Sequence, residues 1–132
     1  MNRTEPQHAV FHPFVGIAGL PFSEAVEVGG FLFLSGQIGT GADGRLVAGG
    51  IAAETRQTLA NIRAVLERYG SGLDRVIKAT VMLADIGEWA AMNAEYVSVF
   101  GKPLPARSAF GTSGLAMGAR VEIEVVALAR AG

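Results

Sequence analysis

The periodicity of the apolar residues changes repeatedly along the 132-residue chain, and this alternation is the strongest constraint on its fold. Apolar side chains recur at helical spacing from Ile51 to Gly70, where a glycine is typical of a helix C-terminus. A second helical stretch follows Asp85, which with Glu88 has the spacing of a capping box. Strand-like runs precede, separate and follow these stretches, so the predicted order of elements is ββαβαββ. The apolar stripes of the two helices consist of Thr55, Leu59, Ile62, Leu66 and Tyr69, and of Trp89, Met92, Tyr96 and Phe100.

Each amphipathic helix needs an apolar sheet face to cover, which predicts an α+β fold with two helices on one mixed sheet. Predicted strands lie at 25–28 and 31–38, around a Gly-Gly dipeptide that favours a hairpin, in the run RVIKATVML, and at 120–129. Residues 1–20 contain prolines that interrupt regular structure, and we expect a tail or a short edge strand there. The whole chain, 1–132, is predicted to form one domain. We expect a neighbouring subunit to cover the other face of the sheet.

The composition argues against several kinds of partner. The formal net charge is −1, the pI is near 6.1 and the basic residues are scattered, so we expect no nucleic-acid partner. Mean hydropathy is +0.36 without an apolar run of the ~18–20 residues that a membrane span needs, which favours a subunit contact over a membrane. The absence of cysteine and of a signal-peptide pattern predicts a cytoplasmic protein. His8 and His12 have helical metal-ligand spacing, but the flanking prolines and the lack of a third ligand argue against a metal site.

Arg107 stands in a short alternating apolar stretch, in a chain of which only 17% is charged. If 104–110 and 120–129 pair as antiparallel strands about the loop between them, Arg107 faces Glu122. The pair is then either a cross-strand salt bridge of ~0.2 to 1 kcal/mol or half of a site for a small acid. In the second interpretation the guanidinium binds a carboxylate and the glutamate holds or deprotonates a water. The cation would lower the pKa of Glu122 and desolvation would raise it, and the sequence leaves that balance open.

The chain contains, in this order, the segments FLFLSGQIG, QTLANIRAVLERYG, VIKATVMLADIGEWAAMNAEY, PARSAF and VEIEVVALA. Together they resemble the Rid family, the YjgF-like reactive-intermediate deaminases, over residues 20–130. The resemblance implies a chorismate-mutase-like α+β fold assembled as a homotrimer, with sites in the clefts between subunits. It also implies that 2-aminoacrylate and related enamine or imine acids, such as 2-iminobutanoate and 2-iminopropanoate, are hydrolysed to 2-keto acids and ammonia. The implied reaction uses no metal and no cofactor.

The resemblance also implies roles for individual residues. Arg107 matches the arginine that binds the substrate carboxylate, and Glu122 matches the glutamate that positions the attacking water. Ser35 and Gly36 match a pair that lines the cleft, and Asn93 matches an asparagine contributed across the subunit boundary. Two of these matches have a simpler alternative, because Ser35 would also suit a local backbone hydrogen bond and Asn93 a helix surface.

Two positions depart from the family pattern. Phe22 stands where many members have tyrosine, and Ala109 stands where a cysteine is common. The lost phenol removes a polar contact to substrate or water, whereas the thiol matters less if the backbone carbonyl of residue 109 makes the relevant contact. These departures leave open a dedicated deaminase of a larger enamine, of the aminomuconate type, or of the aminoacrylate of pyrimidine breakdown. A trimer that binds 2-keto acids or acts as a chaperone without turnover is a third interpretation, and a nuclease is disfavoured by the lack of a basic patch.

Overall fold

The computed structural model describes residues 8–130, and within that range one mixed sheet is covered on one face by two helices. The helices are α1 (Gly50–Arg68) and α2 (Trp89–Phe100). The strands are β1 (Val10–His12), β2 (Ala25–Val28), β3 (Phe31–Leu34), β4 (Gln37–Ile38), β5 (Val76–Leu83), β6 (Ala106–Gly111) and β7 (Val121–Leu128). The predicted α+β class is confirmed. Residues 1–7 of the predicted N-terminal tail lie outside the described residues.

The strands run in the order β1-β2-β3-β7-β5-β6, and β4 also pairs with β7. β5 and β6 are parallel, whereas the other described strand pairs are antiparallel, so the sheet is mixed as predicted. β1 lies at one edge, which agrees with the short edge strand expected there. The predicted strand over 31–38 is divided into β3 and β4 by Ser35 and Gly36, where the register against β7 shifts.

The hydrophobic core lies between the two helices and the sheet. Alternate residues of β7 are buried, as expected for a strand with one face towards a helix layer. Each apolar side chain that is fully buried contributes roughly 1.5–3 kcal/mol relative to its exposed state. The fully buried side chains include Leu32, Leu59, Ile62, Leu66, Val81, Leu83, Met92, Val121 and Ile123.

The opposite face of the sheet carries exposed apolar side chains. Phe31 and Phe33 alternate with buried leucines of β3 and are 39% and 42% exposed. Leu128 lies opposite Phe31 on β7 and is exposed as well. Apolar side chains grouped in this way are typical of an interaction surface. We call this the open face of the sheet, and its cover by a neighbouring subunit stays a prediction.

The predicted antiparallel pairing of the segments that contain Arg107 and Glu122 is wrong. β6 pairs in parallel with β5, where Arg107 aligns with Ala79, and β7 pairs with β5 on its other side, where Glu122 aligns with Met82. β5 therefore separates the two strands. Half of the residues of β5 are buried, and such a strand is stabilised most in a central position, with a neighbour on each side. Alternation of apolar residues predicts which face a residue takes, but it does not predict the neighbouring strand.

The helix ends agree only in part with the sequence. Gly70 follows α1 with a φ of 81°, the left-handed conformation that makes glycine suitable at a helix C-terminus. Asp85 accepts a hydrogen bond from the backbone N–H of Gly87 at 2.8 Å and so caps a 3-10 turn before α2. Glu88 instead accepts hydrogen bonds from the guanidinium of Arg120, so the predicted capping box is wrong.

Over residues 8–130, no helix is both long and apolar enough to cross a bilayer.

Candidate active site

Arg107 lies on β6, at an edge of the sheet, and its side chain contacts α2. Its Cζ is 4.8 Å from the ring centroid of Tyr96 and 5.6 Å from that of Trp89. A terminal nitrogen of the same guanidinium lies 4.0 Å from the sulfur of Met92. A cation over an aromatic face is attracted by the ring quadrupole, by ~0.5–1 kcal/mol when exposed and ~2 kcal/mol when desolvated. The arginine of the apolar stretch is thus held by aromatic and sulfur contacts.

Most described arginines have their donors occupied by the protein itself. Arg75 donates hydrogen bonds to the backbone carbonyls of residues 128 and 129. Arg107 forms no ion pair with any carboxylate among residues 8–130. Its N–H fork therefore remains available to an anion from outside the chain. The arginines that pair with a glutamate are Arg56, Arg63, Arg68 and Arg120.

Glu122 lies on the open face, and its carboxylate extends over Gly36. It aligns with Ile38 of β4, and it alternates along β7 with buried residues that face the helices. A Cβ at Gly36 would overlap the carboxylate of Glu122. The glycine between β3 and β4 thus leaves the space that this side chain occupies.

The pKa of Glu122 is raised above its ordinary value. Burial is the larger cause, because it disfavours the charged carboxylate, and the like charge of Glu124 adds to it. Within the chain, Arg107 is not among the causes. The balance that the sequence left open is thus decided by desolvation.

Arg107 and Glu122 lie on opposite faces of the sheet. Arg107 aligns with Ala79 of β5, which is buried beneath the helices. Glu122 aligns with Met82, three residues further along the same strand. Because side chains alternate between the faces of a sheet, an odd separation places the two on opposite faces. No ion pair joins the two residues. The interpretation as a cross-strand salt bridge is therefore wrong, and one copy of the chain does not bring both charges to one small ligand.

Ser35 and Asn93 lie in different surroundings. The hydroxyl of Ser35 donates a 2.6 Å hydrogen bond to the backbone carbonyl of Ser23, so it fastens the loop before β2 to the end of β3. This is the backbone role that the sequence left as an alternative. The amide oxygen of Asn93, on α2, is buried without a hydrogen-bond partner among residues 8–130. The buried oxygen does not fit the helix-surface alternative, and a contact of Asn93 with a second subunit stays a prediction.

Phe22 and Ala109, the two positions that depart from the family pattern, lie in different environments. Phe22 is half-exposed, and its ring packs edge-on against that of Phe14 with centroids 5.4 Å apart. Ala109 aligns with Val81 on β5 and packs against the core. Its side chain thus belongs to the helix side of the sheet, as does that of Arg107.

The sequence interpretation missed the aromatic and sulfur contacts of Arg107, because it placed Trp89, Met92 and Tyr96 only in the apolar stripe with which a helix covers the sheet. Met92 and Tyr96 are indeed buried, but they also contact the guanidinium. Their i, i+3 and i+7 spacing already placed them on one face of α2. That face could be assigned to Arg107 only once β6 was known to lie beneath α2.

The described histidines do not converge. His8 is exposed, and His12 stacks on the ring of Tyr69 with centroids 4.1 Å apart. Residues 8–130 contain no group of three or more histidine and acidic side chains that could hold a metal ion.

Two helices on one face of a mixed sheet, with an unpaired arginine beneath one helix and a desolvated glutamate on the open face, define a small α+β protein with a candidate site for a carboxylic acid. The chain belongs to the YjgF/RidA family, since the family model described as Endoribonuclease L-PSP matches residues 17–129. The resemblance inferred from the five segments is confirmed.

Individual relatives cover most of the chain. A 2-iminobutanoate/2-iminopropanoate deaminase of Capra hircus is 43% identical over 109 residues, which are 82% of this chain and 80% of that protein. The Homo sapiens protein of the same name is 41% identical over the same shares of the two chains. The crystal structure of RidA from the Antarctic bacterium Psychrobacter has a TM-score of 0.79 at 34% identity, covering 89% of this chain and 93% of that one.

Proposed function

We propose that this protein hydrolyses the C=N bond of small 2-imino acids, or of the enamines that exchange with them, to give 2-keto acids and ammonia. The goat and human relatives are named 2-iminobutanoate/2-iminopropanoate deaminase. The observation that carries the proposal is the guanidinium of Arg107, which is held against α2 without a carboxylate partner among residues 8–130. A cation with free donors, next to apolar walls, suits a small substrate that carries a carboxylate.

The reaction asks for few groups because an iminium carbon is already electrophilic. Arg107 binds the substrate carboxylate through two parallel hydrogen bonds. Glu122 holds a water about 3 Å from the iminium carbon and accepts its proton as the C–O bond forms. Glu122 then gives this proton to the nitrogen of the tetrahedral intermediate, the C–N bond breaks as the C=O bond forms, and Glu122 accepts the proton of the hydroxyl group. One water is consumed, and the 2-keto acid and ammonia leave.

The surroundings of Glu122 support its role as the base. Burial and the neighbouring Glu124 raise the pKa of Glu122. A carboxylate with a raised pKa is a stronger proton acceptor at neutral pH than an ordinary glutamate. Gly36 leaves room for that carboxylate at the break between β3 and β4.

The site is completed by a second copy of the chain. Because Arg107 and Glu122 occupy opposite faces of the sheet, both reach one substrate only if they come from neighbouring subunits. The exposed phenylalanines of the open face support such contacts. We therefore propose a homotrimer with sites between its subunits, in which Ser35, Gly36, Phe22 and the backbone of Ala109 line the cleft.

The test couples the protein to a pyridoxal-phosphate-dependent serine or threonine dehydratase and follows the release of 2-keto acid. Semicarbazide, which traps the free imine, measures how much of it escapes the protein. We expect the wild type to accelerate release and Arg107→Ala to give only the solvent rate. Arg56→Ala is the matched control, because this exposed arginine pairs with Glu95 instead. No acceleration by a folded wild-type assembly would overturn the proposal.

A deaminase of a larger enamine is the second candidate. The apolar pair of Phe14 and Phe22, which lacks a phenol at the second position, suits a more extended or more apolar substrate. Comparison of kcat/KM for three-, four- and six-carbon 2-imino or enamine acids distinguishes the candidates. A kcat/KM that rises steadily with chain length favours the deaminase of a larger enamine. Binding of a 2-keto acid in calorimetry, without any turnover, would instead favour a ligand-binding trimer.

We do not propose RNA cleavage, although the family model carries the description of an endoribonuclease. Four described arginines are neutralised by glutamates and are spread over α1, its end and the start of β7. A phosphate backbone is bound by unpaired cations that lie along one path. A cytoplasmic location follows only from the lack of cysteine and stays a prediction.

A further inference from the structure

Three side chains of α2 surround the guanidinium of Arg107. Trp89, Met92 and Tyr96 follow one face of the helix, and the structure places each in contact with the cation. Met92 is 0% and Tyr96 2% exposed, whereas Trp89 is 45% exposed. The buried pair thus forms a floor under the guanidinium, and the tryptophan forms an outer wall. We call these three residues the α2 cradle.

Contacts of this kind hold a cation and leave most of its donors free, since only one terminal N–H is directed at the cradle, weakly, towards the sulfur of Met92. An aromatic face attracts the charge through the ring quadrupole and accepts no conventional hydrogen bond from the fork. A carboxylate partner, by contrast, would occupy the N–H groups that a substrate needs and would compensate the charge. A free arginine also has many rotamers, and holding one of them in advance lowers the entropy lost on binding.

We infer that Trp89, Met92 and Tyr96 are positioning residues, which hold the guanidinium of Arg107 in place for the substrate carboxylate. The inference rests on the function proposed for Arg107 and adds the elements that prepare it. None of the three residues is proposed to touch the reacting atoms.

Tyr96 is the main member of the cradle. Its ring is the nearer of the two to the guanidinium, and the ring of Phe100 supports it from one turn further along α2, with centroids 4.7 Å apart. Its hydroxyl is buried and has no hydrogen-bond partner among residues 8–130. Burial raises the pKa of Tyr96, and the charge of Arg107 lowers it by less, so the phenol stays neutral. The ring, and not the hydroxyl, therefore does the positioning.

This assignment predicts a separation between KM and kcat. Tyr96→Leu keeps an apolar side chain but removes the ring, and we expect it to raise KM about tenfold with a change in kcat below about threefold. Tyr96→Phe keeps the ring and should restore KM, and Trp89→Leu should have a smaller effect than Tyr96→Leu. Phe100→Leu is a graded comparison, because it removes a ring that contacts Tyr96 but not Arg107, so we expect a smaller rise in KM than in Tyr96→Leu. Equal increases in KM for Tyr96→Leu and Phe100→Leu would overturn the inference.

A second measurement does not depend on activity. The order parameter of the Arg107 Nε–Hε group, measured by NMR relaxation, reports whether the side chain is fixed. We expect a value near that of rigid backbone, about 0.85, in the wild type and in Tyr96→Phe, and a value below about 0.6 in Tyr96→Leu. A mobile Arg107 in the wild type would refute the cradle whatever the substrate. A fixed Arg107 in a protein without imine hydrolysis would refute the proposed function and leave the cradle standing.

Discussion

Arg68 and Arg107 both lie beside a tyrosine ring, yet their surroundings differ in one respect. The Cζ of Arg68 is 5.9 Å from the ring centroid of Tyr69, and its guanidinium forms an ion pair with the buried Glu24. Arg107 lies closer to its own tyrosine and has no carboxylate partner among residues 8–130. An arginine whose charge is compensated within the fold stabilises the fold, whereas one that is held but uncompensated is available to an external anion.

The partners of Arg68 show how complete that compensation is. Glu24 accepts hydrogen bonds from both Arg68 and the hydroxyl of Tyr69, the latter at 2.8 Å. The hydrogen bond with Glu24 is the main reason that the pKa of Arg68 is raised. Removal of Arg68 would leave a buried carboxylate with a single donor, whereas removal of Arg107 would strand no buried charge.

The largest effects are expected when each arginine is removed. Arg107→Ala should lower kcat/KM for a 2-imino acid about a thousandfold, because two charge-assisted hydrogen bonds to the substrate are lost. Arg68→Ala should leave kcat/KM unchanged but destabilise the fold by about 2 kcal/mol, a figure reduced for the exposure of Arg68. Coupled assays and urea unfolding measure the two quantities on both variants. If both variants lost kcat/KM and stability to the same extent, the two arginines would not differ in role.

Glu122→Gln tests the residue that is proposed to work with Arg107. We expect kcat to fall about a hundredfold, because an amide does not accept the proton of water, while KM changes little. Removal of a desolvated charge should at the same time make the protein more stable at neutral pH. Steady-state kinetics and urea unfolding measure these changes, with Glu67→Gln, a surface glutamate of α1, as the control. A larger effect on KM than on kcat would assign Glu122 to binding.

Gly36→Ala should have an intermediate effect. The added Cβ overlaps the carboxylate of Glu122 and forces it to move, which we expect to lower kcat about tenfold. Gly44→Ala is unsuitable as a control because its φ is positive, whereas Gly41 has space around it and a permitted φ. An unchanged kcat in Gly36→Ala, beside an active Gly41→Ala, would show that the position of the carboxylate does not matter.

The smallest effect is a shift of the pH profile. Glu124→Gln removes the like charge that helps to raise the pKa of Glu122, so the acidic limb of kcat/KM should move to lower pH. Because the folded state raises the pKa of Glu122, this group favours folding least at high pH. Its contribution to stability is complete below the ordinary pKa of glutamate and is lost as the pH rises through the raised value. A limb that stays in place in the variant would show that Glu122 is not the titrating base.

The spacing of apolar residues along the chain predicted the helices and strands, but it did not predict which strands pair. The stripes of α1 and α2 and the alternation in β7 depend on neighbours along the chain, and these predictions are confirmed. The pairing of β6 with β5 depends on which strand takes the centre of the sheet, and no local spacing contains that information. The capping box predicted for Asp85 and Glu88 failed for a related reason, since Glu88 is engaged by Arg120 from the distant start of β7.

The site shows the same division. Arg107 was singled out by its apolar neighbours, which predicted a specific partner for its charge. Its actual contacts, Trp89, Met92 and Tyr96, were visible as a helical stripe but had no assigned counterpart until β6 was placed beneath α2. The facing of Arg107 and Glu122 was inferred from a register that the fold does not adopt, so the spacing alone could not show that the two residues lie on opposite faces of the sheet.

The most direct test of the two-copy site uses subunits that are each inactive alone. Co-expression of differently tagged Arg107→Ala and Glu122→Gln chains gives mixed assemblies, which tandem affinity purification separates from the parents. If the two residues come from neighbouring subunits, every mixed trimer has both native residues in one of its three clefts, so about a third of the wild-type activity should return. Activity of the mixed assemblies no higher than that of the two parents would contradict a site shared between copies of the chain.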